Sequence, residues 1–353
     1  MPPRRRMFHS FSVKNYTMQT PVWQPQSGRE FANNGRLCYT YFAFAKFTAG
    51  FSEKGASAMG QPLWLNFTAR PEEAGLTLRN FLRQQGVSAS LIKGVKYRGE
   101  GFLVDGRAVF TDHRMEAGET VRFALPPEEE TTVPPQDLPI ELMYEDAHTA
   151  LVNKPAGMTV HPTLNAADGT LANAWMGLLH RRGETGVFRP VNRIDRDTSG
   201  LVLCAKNAYA AAALARNVQK VYLAVLQGVP ARLQGEIDAP IDRASGSIIL
   251  RQVGPQGKPS RTCYQVLAAG QGLSLAAARP ITGRTHQLRV HFAHIGCPLA
   301  GDELYGGSRA RIGRQALHCA RMTFESPGAE GVQTVDCPLP PDMAALCETM
   351  TKL

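Results

Sequence analysis

Apolar residues in this chain recur mostly in short runs. Ala150-Leu-Val152, Leu201-Val-Leu-Cys204, Tyr222-Leu-Ala-Val-Leu226, Thr262-Cys-Tyr-Gln-Val266 and Leu288-Arg-Val-His-Phe292 each have the length and composition of a strand. Residues 171–179 and 208–218 read as helices between them. The spacing is not a regular strand–helix alternation, and several strands follow one another directly. It predicts an α+β fold with a mixed, largely antiparallel sheet over residues 140–353, rather than a doubly wound parallel sheet. No internal repeat is present.

Upstream, residues 62–125 read as a small α+β unit. Leu76, Leu78, Phe81 and Leu82 fall on roughly one helical face, and Ser88 is placed to N-cap a second short helix through Leu91 and Ile92. Phe102-Leu-Val-Asp105-Gly106-Arg-Ala-Val109 reads as strand, tight turn, strand, with a further turn and strand over 116–123. Residues 126–139, rich in Pro and Glu, predict an extended linker that marks the main domain boundary. Residues 1–61 show no sustained period and are expected to be an atypical, unstructured basic extension. Arg4, Arg5 and Arg6 faintly suggest a transit peptide. Pro2, Pro3 and the aromatic-rich stretch 39–51 spoil an amphipathic helix, which favours a non-native extension ahead of a start at Met59.

Charge refines this picture. The 353 residues carry a formal net charge of +9, but residues 1–58 contribute +6 of it, so net charge says little about the body of the protein. Local clustering says more. Arg79, Arg83, Lys93, Lys96 and Arg98 lie in a span, 79–98, that contains no acid. A solvated face is the ordinary fate of such residues; the missing counter-charge shifts the reading toward a phosphate-binding surface. The 7 Cys are scattered without a Cys-x-x-Cys pair, which argues for a reducing compartment and against a disulfide framework or thiolate zinc site. No window is long and apolar enough to span a membrane.

The densest chemistry lies in Asn192-Arg193-Ile194-Asp195-Arg196-Asp197-Thr198-Ser199-Gly200, a charged stretch that opens into an apolar strand. Arg193 and Arg196 flank Asp195, and flanking guanidinium groups favour a charged carboxylate, which can serve as nucleophile or base. The bland alternative is an Asp that caps the Thr-Ser-Gly turn. In Thr282-Gly-Arg284-Thr-His286-Gln-Leu288-Arg289-Val-His291, a strand starting at Arg284 would carry Arg284, His286 and Leu288 on one face. That parity puts His286 and His291 on opposite faces, so a metal site is the weaker reading. Lys220-Val-Tyr222 begins an alternating strand whose tyrosine is by default a half-buried sheet residue. Gly301-Asp-Glu-Leu-Tyr305-Gly306 lacks the pattern of a nucleotide loop.

In combination these segments resemble the RluA-type family of RNA pseudouridine synthases. Residues 192–200 match its hallmark, with Asn192 at the His/Asn position and Ile194 for the usual Leu. Asn153-Lys-Pro-Ala-Gly-Met158, His161-Pro162, Lys220–Gly228, Thr282–His291, Gly301–Gly306 and Arg314–His318 continue the series in order. Residues 62–125 look like the small αL-type RNA-binding module often placed ahead of this domain. The resemblance implies an isomerase that breaks the C1′–N1 bond of a uridine in RNA, rotates the base and rejoins it through C5, with no cofactor. By position, Asp195 matches the essential aspartate and Arg193 the arginine that holds the everted nucleotide. Tyr222 matches the tyrosine that stacks on the base and helps to remove the C5 proton. Arg284 matches the arginine that pairs with the carboxylate, and Leu288 packs on the base. The implied partner is ribosomal or transfer RNA, in the cytoplasm, with no membrane, no obligate protein partner and no demand for an oligomer. The competing readings are a non-catalytic RNA-binding or ribosome-assembly factor on the same fold, and a glycosidase that would need Asp197 as second carboxylate.

Overall fold

The computed structural model describes residues 62–128, 131–163 and 166–353. The expectations for residues 1–61 lie outside the described residues.

The first unit is a four-stranded antiparallel sheet backed by two helices. Its elements are β1 (Trp64–Thr68), α1 (Leu78–Gln84), α2 (Ala89–Arg98), β2 (Phe102–Val104), β3 (Arg107–Val109) and β4 (Thr120–Ala124), and the sheet order is β1-β4-β2-β3. Thr77 and Ser88 cap the helices, accepting from the backbone N–H of Asn80 and Leu91. Asp105 and Gly106 both take positive φ, which gives the tight β2–β3 turn. Leu78, Phe81, Leu82, Val95, Val121 and Phe123 fill a core of its own.

Residues 126–139 are less free than their composition predicts. Val133 packs against the core of the second unit, and Gln136 donates its backbone N–H to Asn173 O. Gln136 Oε1 also accepts from Gly169 N at 2.8 Å. Asn173 Nδ2 also donates to Pro134 O at 3.0 Å, and Arg181 pairs with Asp137, so this Pro-rich stretch is tied down at several points.

The second unit is built on one eleven-stranded sheet. It begins with β5 (Glu141–Glu145), β6 (Thr149–Lys154), α3 (Leu171–Arg182), β7 (Arg189–Pro190), β8 (Ser199–Ala205), α4 (Ala208–Leu214) and β9 (Gln219–Gln227). It continues with β10 (Gln234–Asp238), the hairpin β11 (Ile241–Arg243) and β12 (Arg251–Val253), then β13 (Arg261–Gly270) and β14 (Leu273–Pro280). The chain closes with α5 (Gln287–His294), β15 (Leu317–Glu325), β16 (Val332–Asp336), α6 (Pro341–Cys347) and β17 (Thr351–Lys352). The main strand order is β10-β13-β14-β9-β15-β8-β6-β5, antiparallel except where β15 runs parallel to β8. The α+β class with a mixed, largely antiparallel sheet is therefore as predicted. Apolar residues cover both faces, with α3 and Trp175 on one and α6 with Met343 on the other.

Two elements depart from expectation. The helix predicted over 208–218 ends at Leu214, because the chain must turn before entering β9 at Gln219. The strand predicted over 288–292 is the helix α5. Every residue from Gln287 to Phe292 is buried, and polar Gln287, Arg289 and His291 alternate with Leu288, Val290 and Phe292 as they would on a strand, so the period mimics one. Among the described residues, no helix is long and apolar enough to cross a membrane.

Candidate active site

The loop before β8 is clamped through its backbone, and that clamp presents Asp195. Buried Asn192 accepts from Leu203 N at 2.8 Å and donates to Leu201 O at 3.3 Å, pinning the loop start to the strand it precedes. Thr198 N donates to Asp195 O at 3.1 Å, which closes the turn. Gly200 sits at φ +106 in the β8–β15 crossing, where a Cβ would stand 2.3 Å from Cys319 O. Only glycine fits that approach. Lys154, with no exposed surface, donates to Pro155 O, Met158 O and Arg196 O at 2.8, 2.7 and 3.0 Å. Burial brings its pKa down to about 7, against the pull of Asp197 and Asp195. Arg314 Nη1 holds Asp197 O from the other side at 3.1 Å.

The cation on Asp195 is neither of its sequence neighbours. Arg196 turns away to pair with Asp197 at 3.1 and 3.2 Å. Arg284, expected to pair with the carboxylate, is exposed and donates to Pro259 O at 3.3 Å. Arg289 fills that place, with Nη1 3.1 Å from Asp195 Oδ2. The correction follows from α5. With a helix after His286, the first turn turns Arg289 inward, while Arg284 stays in the preceding loop. Buried Asp302 grips Arg289 from behind, accepting from Nε and Nη2 at 2.7 Å each. The guanidinium also lies over the Tyr305 ring, 5.0 Å from its centroid. Burial opposes the charge of Arg289, but the bonds to Asp302 and the nearness of Asp195 hold its pKa above the ordinary arginine value. The Gly301–Gly306 segment, which has no nucleotide-loop pattern, thus supplies the anchor for Arg289.

Asp195 opens into a groove of about 530 Å³ that also takes in Arg193, Tyr222, Arg284 and Leu288. All five substrate-site residues expected from sequence therefore share one groove, with Lys220 and His161 on its walls. Tyr222 lies in β9 with its ring almost fully covered, and Leu288 is buried in the first turn of α5. Burial, with Cys319 and Asp195 adding to it, raises the Tyr222 pKa well above 10. The phenol is therefore protonated at neutral pH, which suits stacking and disfavours a resting-state base. Asp197, the carboxylate a glycosidase would need, is absent from the groove wall. Among the described residues no group of three or more His, Cys, Asp or Glu could hold a metal ion. His291 is engaged by Thr262 and Ala239, and His318 by Ser199 and Cys337.

A sequence model described as RNA pseudouridylate synthase matches residues 148–294, which contain Arg193, Asp195, Tyr222, Arg284 and Leu288. An uncharacterised RNA pseudouridine synthase of Bacillus subtilis is 34% identical over 277 residues, covering 77% of this chain and 98% of the relative. This chain belongs to the RNA pseudouridine synthase family. It is an isomerase that converts uridine to pseudouridine in RNA. The ribosomal large subunit pseudouridine synthase D of Vibrio parahaemolyticus is 32% identical over 321 residues, covering 83% of this chain and 97% of that one. The solved structure of human RNA pseudouridylate synthase domain containing 1 aligns with a TM-score of 0.50 at 30% identity, over 64% of this chain and 93% of the human one.

The synthase carries a second basic site on its first unit. Arg79, Arg83, Lys93 and Lys96 line a groove of about 490 Å³ between α1 and α2, together with the exposed ring of Tyr97. No acidic residue lines it. Arg98, the fifth basic residue expected there, is not part of that lining. Sequence reading missed Arg289, Asp302 and Tyr305 as a connected set. Their only sequence signal was membership of the Thr282–His291 and Gly301–Gly306 segments.

Proposed function

We propose that this synthase modifies ribosomal RNA, with Asp195 as the group that acts on the ribose. The observation that carries the reading is the Asp195–Arg289 pair at the floor of a groove lined by Tyr222 and Leu288. The C1′–N1 bond breaks, the base rotates, C5 bonds to C1′, and the C5 proton is lost while N1 gains one. No atom or electron is added, so the chain's own side chains suffice. Asp195 attacks C1′ or removes a proton from C2′. Everting the uridine costs a few kcal/mol. Stacking on Tyr222 returns roughly 1–3 kcal/mol of that. In this reading Arg193, exposed at the groove edge, fills the vacated stack, and Arg284 holds the flanking phosphate.

The ribosomal assignment rests on the printed names of relatives such as the Vibrio parahaemolyticus enzyme. A ribosomal substrate implies work in the cytoplasm. Residues 62–125 act as an RNA-binding domain through Arg79, Arg83, Lys93, Lys96 and Arg98, joined by residues 126–139 to the catalytic domain of 140–353. The decisive experiment compares pseudouridine maps of ribosomal and transfer RNA between a deletion strain and its parent, complemented with wild type or Asp195→Asn. Loss of a ribosomal site, restored only by wild type, is expected. Restoration by Asp195→Asn would overturn the role of Asp195, and a lost transfer RNA site would overturn the substrate.

A further inference from the structure

We propose that His286 is a positioning residue for the reacting carboxylate. Its neutral ring, fixed in the Nε2–H tautomer by the Tyr305 hydroxyl, aims that N–H at Asp195 Oδ2 and leaves Oδ1 to meet the ribose. The proposal rests on Asp195 being the group that acts on the ribose.

His286 is the residue before α5 and takes φ +57, one of three non-glycine positive-φ residues among those described. A left-handed backbone disfavours a side chain that carries a Cβ, so the surrounding structure must enforce it. The enforced pose sets the imidazole between two oxygens. Nδ1 lies 2.8 Å from the Tyr305 hydroxyl, and Nε2 lies 3.8 Å from Asp195 Oδ2.

The proton positions follow from the neighbours. Arg251 N donates to the Tyr305 oxygen at 3.1 Å, which uses one of its acceptor sites. Among the described residues, the hydroxyl proton has one acceptor, His286 Nδ1. At the other end of the ring, a bare Nε2 lone pair facing a carboxylate would be repelled, whereas Nε2–H is attracted. Both ends therefore select the same tautomer. The charged groups around the ring are Asp195 and Asp302, which favour protonation, and Arg289 and Arg251, which oppose it; burial outweighs them and keeps the ring neutral.

Two donors then converge on one oxygen. Arg289 Nη1 and His286 Nε2 both face Oδ2, and no described residue donates to Oδ1. A carboxylate held through one oxygen cannot swivel, and its other oxygen stays free of competing hydrogen bonds. The 3.8 Å separation is longer than a hydrogen bond; such contacts tighten when substrate closes the site.

The test uses the full chain labelled with 15N-histidine, His286 being assigned by the signal missing in His286→Gln. The expected spectrum shows unprotonated Nδ1 and protonated Nε2 from pH 7 to 8. An Nδ1–H tautomer, or an imidazolium at pH 7, would overturn the proposal, and this readout does not depend on the role of Asp195. Kinetics supply the second readout. His286→Leu should lower single-turnover rate roughly 10- to 100-fold, as for one lost hydrogen bond to a charged group, with RNA affinity unchanged. His286→Gln, which keeps a terminal N–H, should recover most of that rate. Tyr305→Phe should add an acidic limb to the pH–rate profile, because the ring then protonates and pairs with Asp195. Equal losses in Leu and Gln variants, or a loss in RNA affinity alone, would overturn it. Asp195→Asn with normal turnover would instead remove the reading on which the proposal rests.

Discussion

Replacing Asp302 with Asn tests whether Arg289 must be held from behind. Asp302 is 2% exposed and meets the Arg289 guanidinium through two bonds of 2.7 Å. Asn keeps one acceptor of similar shape, loses the charge and places an N–H against a guanidinium donor. A hydrogen bond to a charged group is worth about 1.5–3 kcal/mol. Removing one partner of a buried pair outright costs about 3–5 kcal/mol. Asn retains half of the geometry, so the expected loss of stability is about 2–3 kcal/mol, or roughly 4–12 °C in Tm for a unit of this size. The loss in rate should be larger than the loss in stability implies. Arg289 freed from Asp302 can shift by an ångström, and displacement of that size costs about 100-fold in turnover. RNA affinity should hardly change, since neither side chain lies on the surface. Thermal unfolding, single-turnover pseudouridine formation well below Tm, and a binding titration read the three quantities separately. If Asp302→Asn turned over like wild type, Arg289 would not need its buried anchor and the description of the site would be wrong.

Three further outcomes are expected. Asp195→Asn should bind RNA with near wild-type affinity and form no pseudouridine; a titration with product analysis checks both, and residual turnover near wild type would exclude the assignment. His318, buried between Ser199 and Cys337 O, has its pKa pushed down to about 4 by burial. The unfolded chain binds this proton near pH 6.5 and the fold does not, so stability should fall as pH drops from about 6.5 to 4. That acid-side slope should flatten in His318→Gln, and parallel unfolding profiles for the two proteins would count against it. Replacing Arg79, Arg83 and Lys93 together should weaken RNA binding and lower the slope of log affinity against log salt by about two to three. An unchanged slope would remove the small unit from phosphate binding.

Local patterns carried much of this molecule. Ser88 caps its helix as expected, Asp105-Gly106 makes its turn, and five apolar runs were expected as strands, four of which are strands. The fifth is α5, misread as a strand; Arg284, assigned to the carboxylate by the resemblance, lies in the loop before it, and Arg289 in its first turn makes that pair. On a strand, Arg284 shares a face with Leu288; on a helix, the inward residue is Arg289. The same error hid the contact between His286 and Tyr305, 19 residues apart and joined by a 2.8 Å bond.

The amino-acid order by itself determined which segments hold the chemistry, because a polar loop entering an apolar strand and a basic span without acids are local facts. It also determined the family, through several ordered motifs. Tertiary structure alone decided which cation meets Asp195, which oxygen that cation holds, and what anchors it. Those answers depend on side chains 94 and 13 residues apart meeting in one buried place. A buried helix whose polar and apolar residues alternate leaves no helical period to show where its arginine points.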